Sequence, residues 1–447
     1  MHSKKDLIGG LLVFLTTFVI FLVSPVRTVF DSKYSMLFSQ QLLRHGSFSL
    51  DRQTFPELQG RDPGEVLIQG KNLTYHLVSV GGRIYSYFPS GSSVLSIPYV
   101  AFMNAIGISA VDQTGTYNPR AEVKMEVGLA ALLMAGLAVM VFRTSRLVLP
   151  YDWSLLIAIA TAFGTQVWSL ASRALWMQTW GIFILAFVVW LLLKAEIKQL
   201  RYRPVLLATC LSWLYFVRPT FSVSIVAIAL FIFLYHRSVF LPFVLTGAFW
   251  LAAFIAYSQY HFGRSLPLYY QASRLKFESL GEVLAGNVIS PSRGLLIYVP
   301  VLVFIFYLLW RYRSSLVMPG LVVLGVSVIV VHLIVISSPL PPFGGHCYGP
   351  RLSTDLVPWF ALLAMLAVKT RLQWREKCPE KDSAFRWRAE WALGTFLLVS
   401  SIALNGIGAM SRDAWQWNNL PVNVDDKPER IWDWQHPQFL APFQKEG

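Results

Sequence analysis

Charge is scarce in this chain. Asp, Glu, Lys and Arg together make up 14% of its 447 residues, against about 25% in an ordinary soluble domain. The hydrophobic share is 55% and the mean hydropathy is +0.51, so a soluble globular protein is excluded and a polytopic membrane protein is indicated. Acidic residues are the scarcer sign, 24 against 38 Lys and Arg, which leaves a net charge of +14. Such an excess would suit a nucleic-acid binder. Its distribution argues otherwise, because the positive charges fall mainly in short loops between apolar runs, as the positive-inside pattern requires. Cysteine is scarcer still: three residues, with Cys210 in an apolar run and Cys347 and Cys378 in loops placed on opposite sides. No disulfide framework and no metal-type Cys/His spacing follows from these; no cofactor is expected and no metal is strongly implied. A phosphate-binding P-loop, a dinucleotide fingerprint, a zinc motif and a serine-nucleophile elbow are all missing. No loop expected on the cytoplasmic side is long enough to hold a soluble transferase domain.

What is present is a succession of apolar runs, near 7–25, 127–142, 153–170, 178–193, 204–217, 220–235, 239–258, 294–310, 316–337, 355–368 and 391–409. An all-α fold with about eleven transmembrane helices is predicted, since about 20 apolar residues cross a bilayer as a helix. The first run has no small-x-small cleavage site after it and reads as an uncleaved span. Basic segments at "HSKKD", 143–146, 194–203, 236–237, 311–313 and 369–388 place the N-terminus and these loops in the cytoplasm. That parity holds only if 93–110, "SVLSIPYVAFMNAIGISA", lies on the outer surface and does not cross. Residues 27–126 then form one large outer loop, with a helix near 34–45 and a hairpin near 81–87. Further outer loops are 259–293 and 338–354, followed by an outer tail, 410–447.

No Asp, Glu, Lys or Arg falls inside an expected span beyond its first residue. His332, and Arg218 at the end of a run, are the ionisable exceptions. Ion-coupled transport needs acidic groups at membrane depth, so chemistry is expected in the outer loops. "FDSKYSMLFSQQLLRHG" (30–46) places Tyr34, Leu37, Phe38 and Leu42 on one helical face. Asp31 or Ser32 could cap that helix. Alternatively, Asp31 is a general base held at the membrane surface.

The order of segments resembles the C-type (GT-C) membrane glycosyltransferases, nearest in layout to the protein O-mannosyltransferases and the lipid A aminoarabinose transferases. An uncleaved first span leads into an acidic "D-x-x-Y" and an amphipathic helix. Then come "IYSYFPSGSSVLSIPYVAF", "NPRAEVKMEVGLAALLMAGLAVMVFRTSRLVLPYD" and "SLASRALWMQTW". The resemblance covers roughly residues 1–260, ahead of C-terminal helices over 261–409. It implies a catalytic acid in the first outer loop, two membrane-lying helices and a polyprenyl-phosphate sugar donor. The chain departs from the family pattern in three places: Ser32 stands where a second acid is common, Phe88-Pro89 replaces Lys-Pro, and Gln178 stands where an Asp is common.

Arginines beside span ends on the outer side run against the positive-inside pattern. Arg173, Arg218, Arg293 and Arg351 are therefore candidates for the donor phosphate, which the planar guanidinium fork suits. Contact with lipid headgroups is the plainer explanation for any one of them. Tyr34, Arg274, His346 and Tyr348 are candidate substrate contacts, the last two within the dense turn "FGGHCYGPRLSTD" (343–355). The expected reaction transfers a sugar from polyprenyl phosphate to a hydroxyl of a glycan, glycolipid or protein. It would occur at the periplasmic face of a bacterial inner membrane, with inversion and with Asp31 as base. A transporter or lipid-linked-sugar flippase, and a non-catalytic envelope assembly factor, are the alternatives.

Overall fold

Long apolar runs have one solution in lipid, a helix that satisfies its own backbone, and helices dominate the chain. The computed structural model describes residues 4–50, 75–200, 202–271, 279–338 and 342–444. In chain order the helices and strands are α1 (Lys4–Val23), α2 (Ser35–His45), β1 (Leu77–Val80), β2 (Arg83–Ser86), α3 (Gly91–Leu95), α4 (Ile97–Ala105), α5 (Pro119–Ser145) and α6 (Tyr151–Phe163). They continue with α7 (Met177–Lys198), α8 (Pro204–Val217), α9 (Ser222–Tyr235), α10 (Arg237–Phe262), α11 (Leu280–Ile289) and α12 (Leu295–Tyr298). The last are α13 (Val301–Arg311), α14 (Pro319–Ile336), α15 (Val357–Lys377), α16 (Ala384–Met410) and α17 (Arg412–Gln416).

Among the described residues, seven helices are long and apolar enough to cross a membrane: α1, α5, α7, α10, α14, α15 with the 3-10 turn before it, and α16. The protein is therefore an all-α, multi-pass membrane protein. Of the eleven expected spans, the runs at 153–170, 204–217, 220–235 and 294–310 lie on shorter helices. The last of these is broken between α12 and α13 at Val299-Pro300. The 93–110 segment forms α3 and α4, five and nine residues long, too short to span. Gly91 lets α3 press against the end of α8, since a Cβ there would stand 2.4 Å from the Phe216 carbonyl oxygen. The expected hairpin is β1–β2, turned by Gly81 and Gly82 at φ 57 and 77, the left-handed backbone that glycine supplies without strain.

The expectation of uncharged spans is overturned. α5 starts ahead of its apolar run at Pro119, so the outer loop ends before 126, and Glu122 and Glu126, both 0% exposed, sit inside a span-length helix. Asp355 heads the α15 segment at 1% exposure, and Glu390 lies buried in α16. Hydropathy marks where apolar side chains stop. The helix continues for as long as its backbone bonds are useful, and the charges it then carries turn inward to protein partners. Arg371, expected in the basic 369–388 loop, shows the same behaviour. Its guanidinium forks onto Asp382 at 2.9 and 2.8 Å, and its Nε donates to Glu390 at 2.6 Å. Tyr312 donates to the same Glu390 at 2.7 Å.

Candidate functional site

The connections at one end of the bundle meet in a cavity of about 790 Å³. Phe30 and Asp31 follow α1, Arg218 and Thr220 join α8 to α9, and His346 and Arg351 belong to the turn before α15. Tyr75, Tyr87, Phe88 and Tyr269 give one aromatic side, and Asn423 and Asp425 of the tail reach the cavity from beyond α17.

Asp31 faces this cavity because it is not used as a cap. The residue before the first turn of α2 is Tyr34, at φ 74, and its own side chain makes no capping bond. Instead the Met36 N–H donates to Glu122 Oε1 at 3.0 Å, and the Ser32 hydroxyl donates to Glu126 Oε2 at 2.5 Å. A carboxylate at a helix N-terminus is favourable wherever it comes from; here it comes from α5. Freed of that task, Asp31 accepts from Arg351 Nη2 through Oδ2 and from the Tyr75 hydroxyl through Oδ1, the latter at 3.2 Å. The Tyr75 hydroxyl is pushed up to about 12, first by burial and then by the Asp425 charge, so it serves as a neutral donor.

Arg351 is held on three sides. Beside its bond to Asp31, its Nη1 donates to the Gly344 carbonyl at 3.0 Å, and its guanidinium lies 4.0 Å from the centre of the Trp176 ring. Arg218 donates to Asp355 Oδ1 at 3.2 Å, Thr220 donates to Asp355 Oδ2 at 2.6 Å, and His332 Nε2 stands 3.6 Å from that same oxygen. The Nε atoms of Arg218 and Arg351 are buried without a partner among the described residues, so both guanidiniums keep donor capacity beyond their carboxylates. His346 contacts Asn423 Oδ1 at 2.9 Å and Asp425 at 3.5 Å.

Of the candidates read from the sequence, Asp31, Arg218, His346 and Arg351 therefore share one cavity. Arg173 and Arg293 do not line it. Arg173 is fully buried and ties down the last turn of α1, donating to the Phe21 carbonyl and, at 3.0 Å, to that of Ser24. Arg293 is 1% exposed and donates to Gln438 at 2.6 Å and to Asn418 at 2.7 Å, knitting the tail to the bundle. Tyr34 is buried against Tyr117 and His76. Tyr348 is buried with its hydroxyl on the Leu404 carbonyl at 2.7 Å. Arg274 lies outside the described residues. Sequence reasoning missed Trp176, Asp355 and the tail pair Asn423 and Asp425. It also missed Glu122 and Glu126, whose four-residue spacing in "AEVKMEV" was a usable signal of two acids on one helical face.

A second, apolar groove adjoins the cavity. Phe216, Trp250, Ala253 and Phe254 line it, and it shares Tyr87, Phe88 and Tyr270 with the polar site. No protein-family model matches the chain, and no curated protein matches it as a relative.

His76 gives the Asp31 loop a pH dependence. Its Nε2–H donates to the Phe30 carbonyl at 2.8 Å, which leaves Nδ1 bare and buried. Burial lowers the ring to about 4; the Lys33 charge adds to this and the Phe30 bond opposes it. A depressed histidine stabilises the fold above its unfolded value of about 6.5, and that contribution is lost as pH falls towards 4. Hydrogen exchange of residues 28–36 should therefore accelerate between pH 6.5 and 4 beyond its intrinsic rate change. His76→Gln should remove the excess; an excess that persists in the variant would assign it to another group.

Proposed function

We propose that this protein is an integral membrane glycosyltransferase of the GT-C type. It would move a sugar from a polyprenyl-phosphate donor to the hydroxyl of a glycan, glycolipid or protein. The observation that carries this reading is the junction of a charged cavity with an apolar groove through three shared aromatic residues. A molecule with a phosphate-sugar head and a hydrocarbon tail fits both at once, and its tail need not leave the bilayer. Arg218, Arg351 and the Asp31 carboxylate face the same space and supply the chemistry that its head requires.

In the proposed reaction, the donor phosphate takes Arg351 from Asp31 and also meets Arg218. Asp31, released, accepts the acceptor's O–H proton. The acceptor oxygen bonds to the anomeric carbon as the bond from that carbon to the phosphate oxygen breaks. The electron pair leaves with the phosphate, and the configuration inverts. The arginines stabilise the charge growing on the leaving oxygen in a water-poor site, where such contacts strengthen. The basic loops follow the other ends of the long helices, which supports a cavity on the periplasmic or outer face.

The test is reconstitution in nanodiscs with polyprenyl-phosphate sugars carrying a radiolabelled sugar. Time-dependent loss of label from the lipid, with release of polyprenyl phosphate, is expected. Absence of turnover and of binding across donor sugars would sink the proposal. The buried His332, Asp355 and Arg218 beside the cavity favour a second reading, a proton-coupled transporter or lipid-linked-sugar flippase, because charges at membrane depth mark translocation paths. Movement of donor across proteoliposomes under a pH gradient, without chemical change, would favour that reading.

A further inference from the structure

Glu126 stands in the second turn of α5, 0% exposed, and the proposed chemistry gives it no role. Its bonds lead to both halves of the charged pair in the cavity. Through Oε2 it accepts from the Ser32 hydroxyl at 2.5 Å, and Ser32 directly follows Asp31. The same oxygen accepts from the Leu175 N–H at 3.4 Å, and Leu175 directly precedes Trp176, the ring beneath the Arg351 guanidinium. Through Oε1 it accepts from Ser35, in the first turn of α2, at 3.4 Å. One turn earlier on α5, Glu122 holds the Met36 N–H. Trp176 Nε1 closes the arrangement by donating to Thr28 at 3.1 Å, within the same loop as Asp31.

A buried carboxylate is expensive unless its bonds are well made, and a cap for α2 alone would need only Glu122. What distinguishes Glu126 is that it joins two segments, 28–35 and 172–176, which carry Asp31 and Trp176, the platform of Arg351. We propose that Glu126 is a positioning residue: it fixes the Asp31 loop against the Trp176 platform, so that Asp31 faces the attacking hydroxyl while Arg351 faces the leaving phosphate. The inference rests on the proposed sugar transfer for its kinetic consequence and on geometry alone for its structural one.

The experiment compares wild type, Glu126→Ala, Glu126→Gln and Ser32→Ala in nanodiscs with a polyprenyl-phosphate sugar. A misplacement of the order of an ångström costs about 10²-fold in rate, so Glu126→Ala should lose about that much in kcat while its donor KM stays near wild type. Glu126→Gln should recover most of the rate, because its amide oxygen still accepts from Ser32. Ser32→Ala should show part of the loss. Hydrogen exchange over 28–36 and 172–178 should rise in Glu126→Ala and stay near wild type in Glu126→Gln. A wild-type kcat in Glu126→Ala, or a Gln variant as impaired as the Ala variant, would overturn the proposal. If Glu126→Ala does not fold, the Gln and Ser32 variants decide it by the same rates. If wild type transfers no sugar, the glycosyltransferase reading fails on its own, and exchange unchanged in Glu126→Ala then separately overturns the positioning role.

Discussion

In the proposed reaction, Asp31→Asn should cut sugar transfer by about 10²–10⁴-fold, the usual contribution of a positioned general base, while the protein stays folded and its affinity for the proposed polyprenyl-phosphate ligand does not fall. The amide replaces the carboxylate atom for atom. Its oxygen can still accept from Tyr75, which donates at 3.2 Å, and Arg351 keeps the Gly344 carbonyl and the Trp176 ring. What is lost is the proton acceptor and the counter-charge on Arg351. Losing the acceptor stops chemistry. Losing the counter-charge removes the competitor that a donor phosphate must displace, so affinity for polyprenyl phosphate should rise. Transfer is read with labelled donor, and affinity by titrating polyprenyl phosphate into nanodiscs. Undiminished transfer removes Asp31 from the mechanism, and a collapse of affinity would make it a binding residue.

The largest effect on stability is expected at the opposite end of the bundle. Arg371→Met should destabilise the protein by about 3–5 kcal/mol, the cost of removing one member of a buried ion pair. Asp382 and Glu390 would be left facing each other at 0% and 7% side-chain exposure without the cation between them. The methionine stem can still lie near Tyr312, Trp374 and Trp387, the rings around the guanidinium. The deficit is therefore electrostatic and should be reduced by the double change Arg371→Met with Glu390→Gln. Denaturant titration in detergent, followed by tryptophan fluorescence, measures both variants. A single variant as stable as wild type would show that the cluster contributes nothing to holding α15 against α16.

These two ends also show what could be read from the residues. The helices were legible because about 20 apolar residues in lipid leave the backbone little choice. The hairpin was legible because two adjacent glycines mark a tight turn. That 93–110 does not form one membrane-length helix was legible from loop charge, a global bookkeeping that no local window supplies. The partners of charged residues were not legible, since pairing depends on contacts remote in sequence: Arg351 meets Asp31 across 320 residues and Arg218 meets Asp355 across 137. Asp31 also looked like a local cap, because sequence alone does not show an acid arriving from another helix. Arg173 and Arg293 carry the residue type expected of phosphate ligands, yet their guanidiniums close on carbonyls and amides inside the protein.

The tail bears on the order of events during synthesis. Asn423 and Asp425 line the cavity, and Gln438 anchors their segment through Arg293, the Gly349 N–H and the Cys347 carbonyl. All three follow the last long helix in chain order. A nascent chain thus carries an unfinished half-site through the insertion of every span, and the site is completed only once residue 438 has left the ribosome. Proteolytic clipping after α16 would leave the inserted bundle with a cavity open on the tail side.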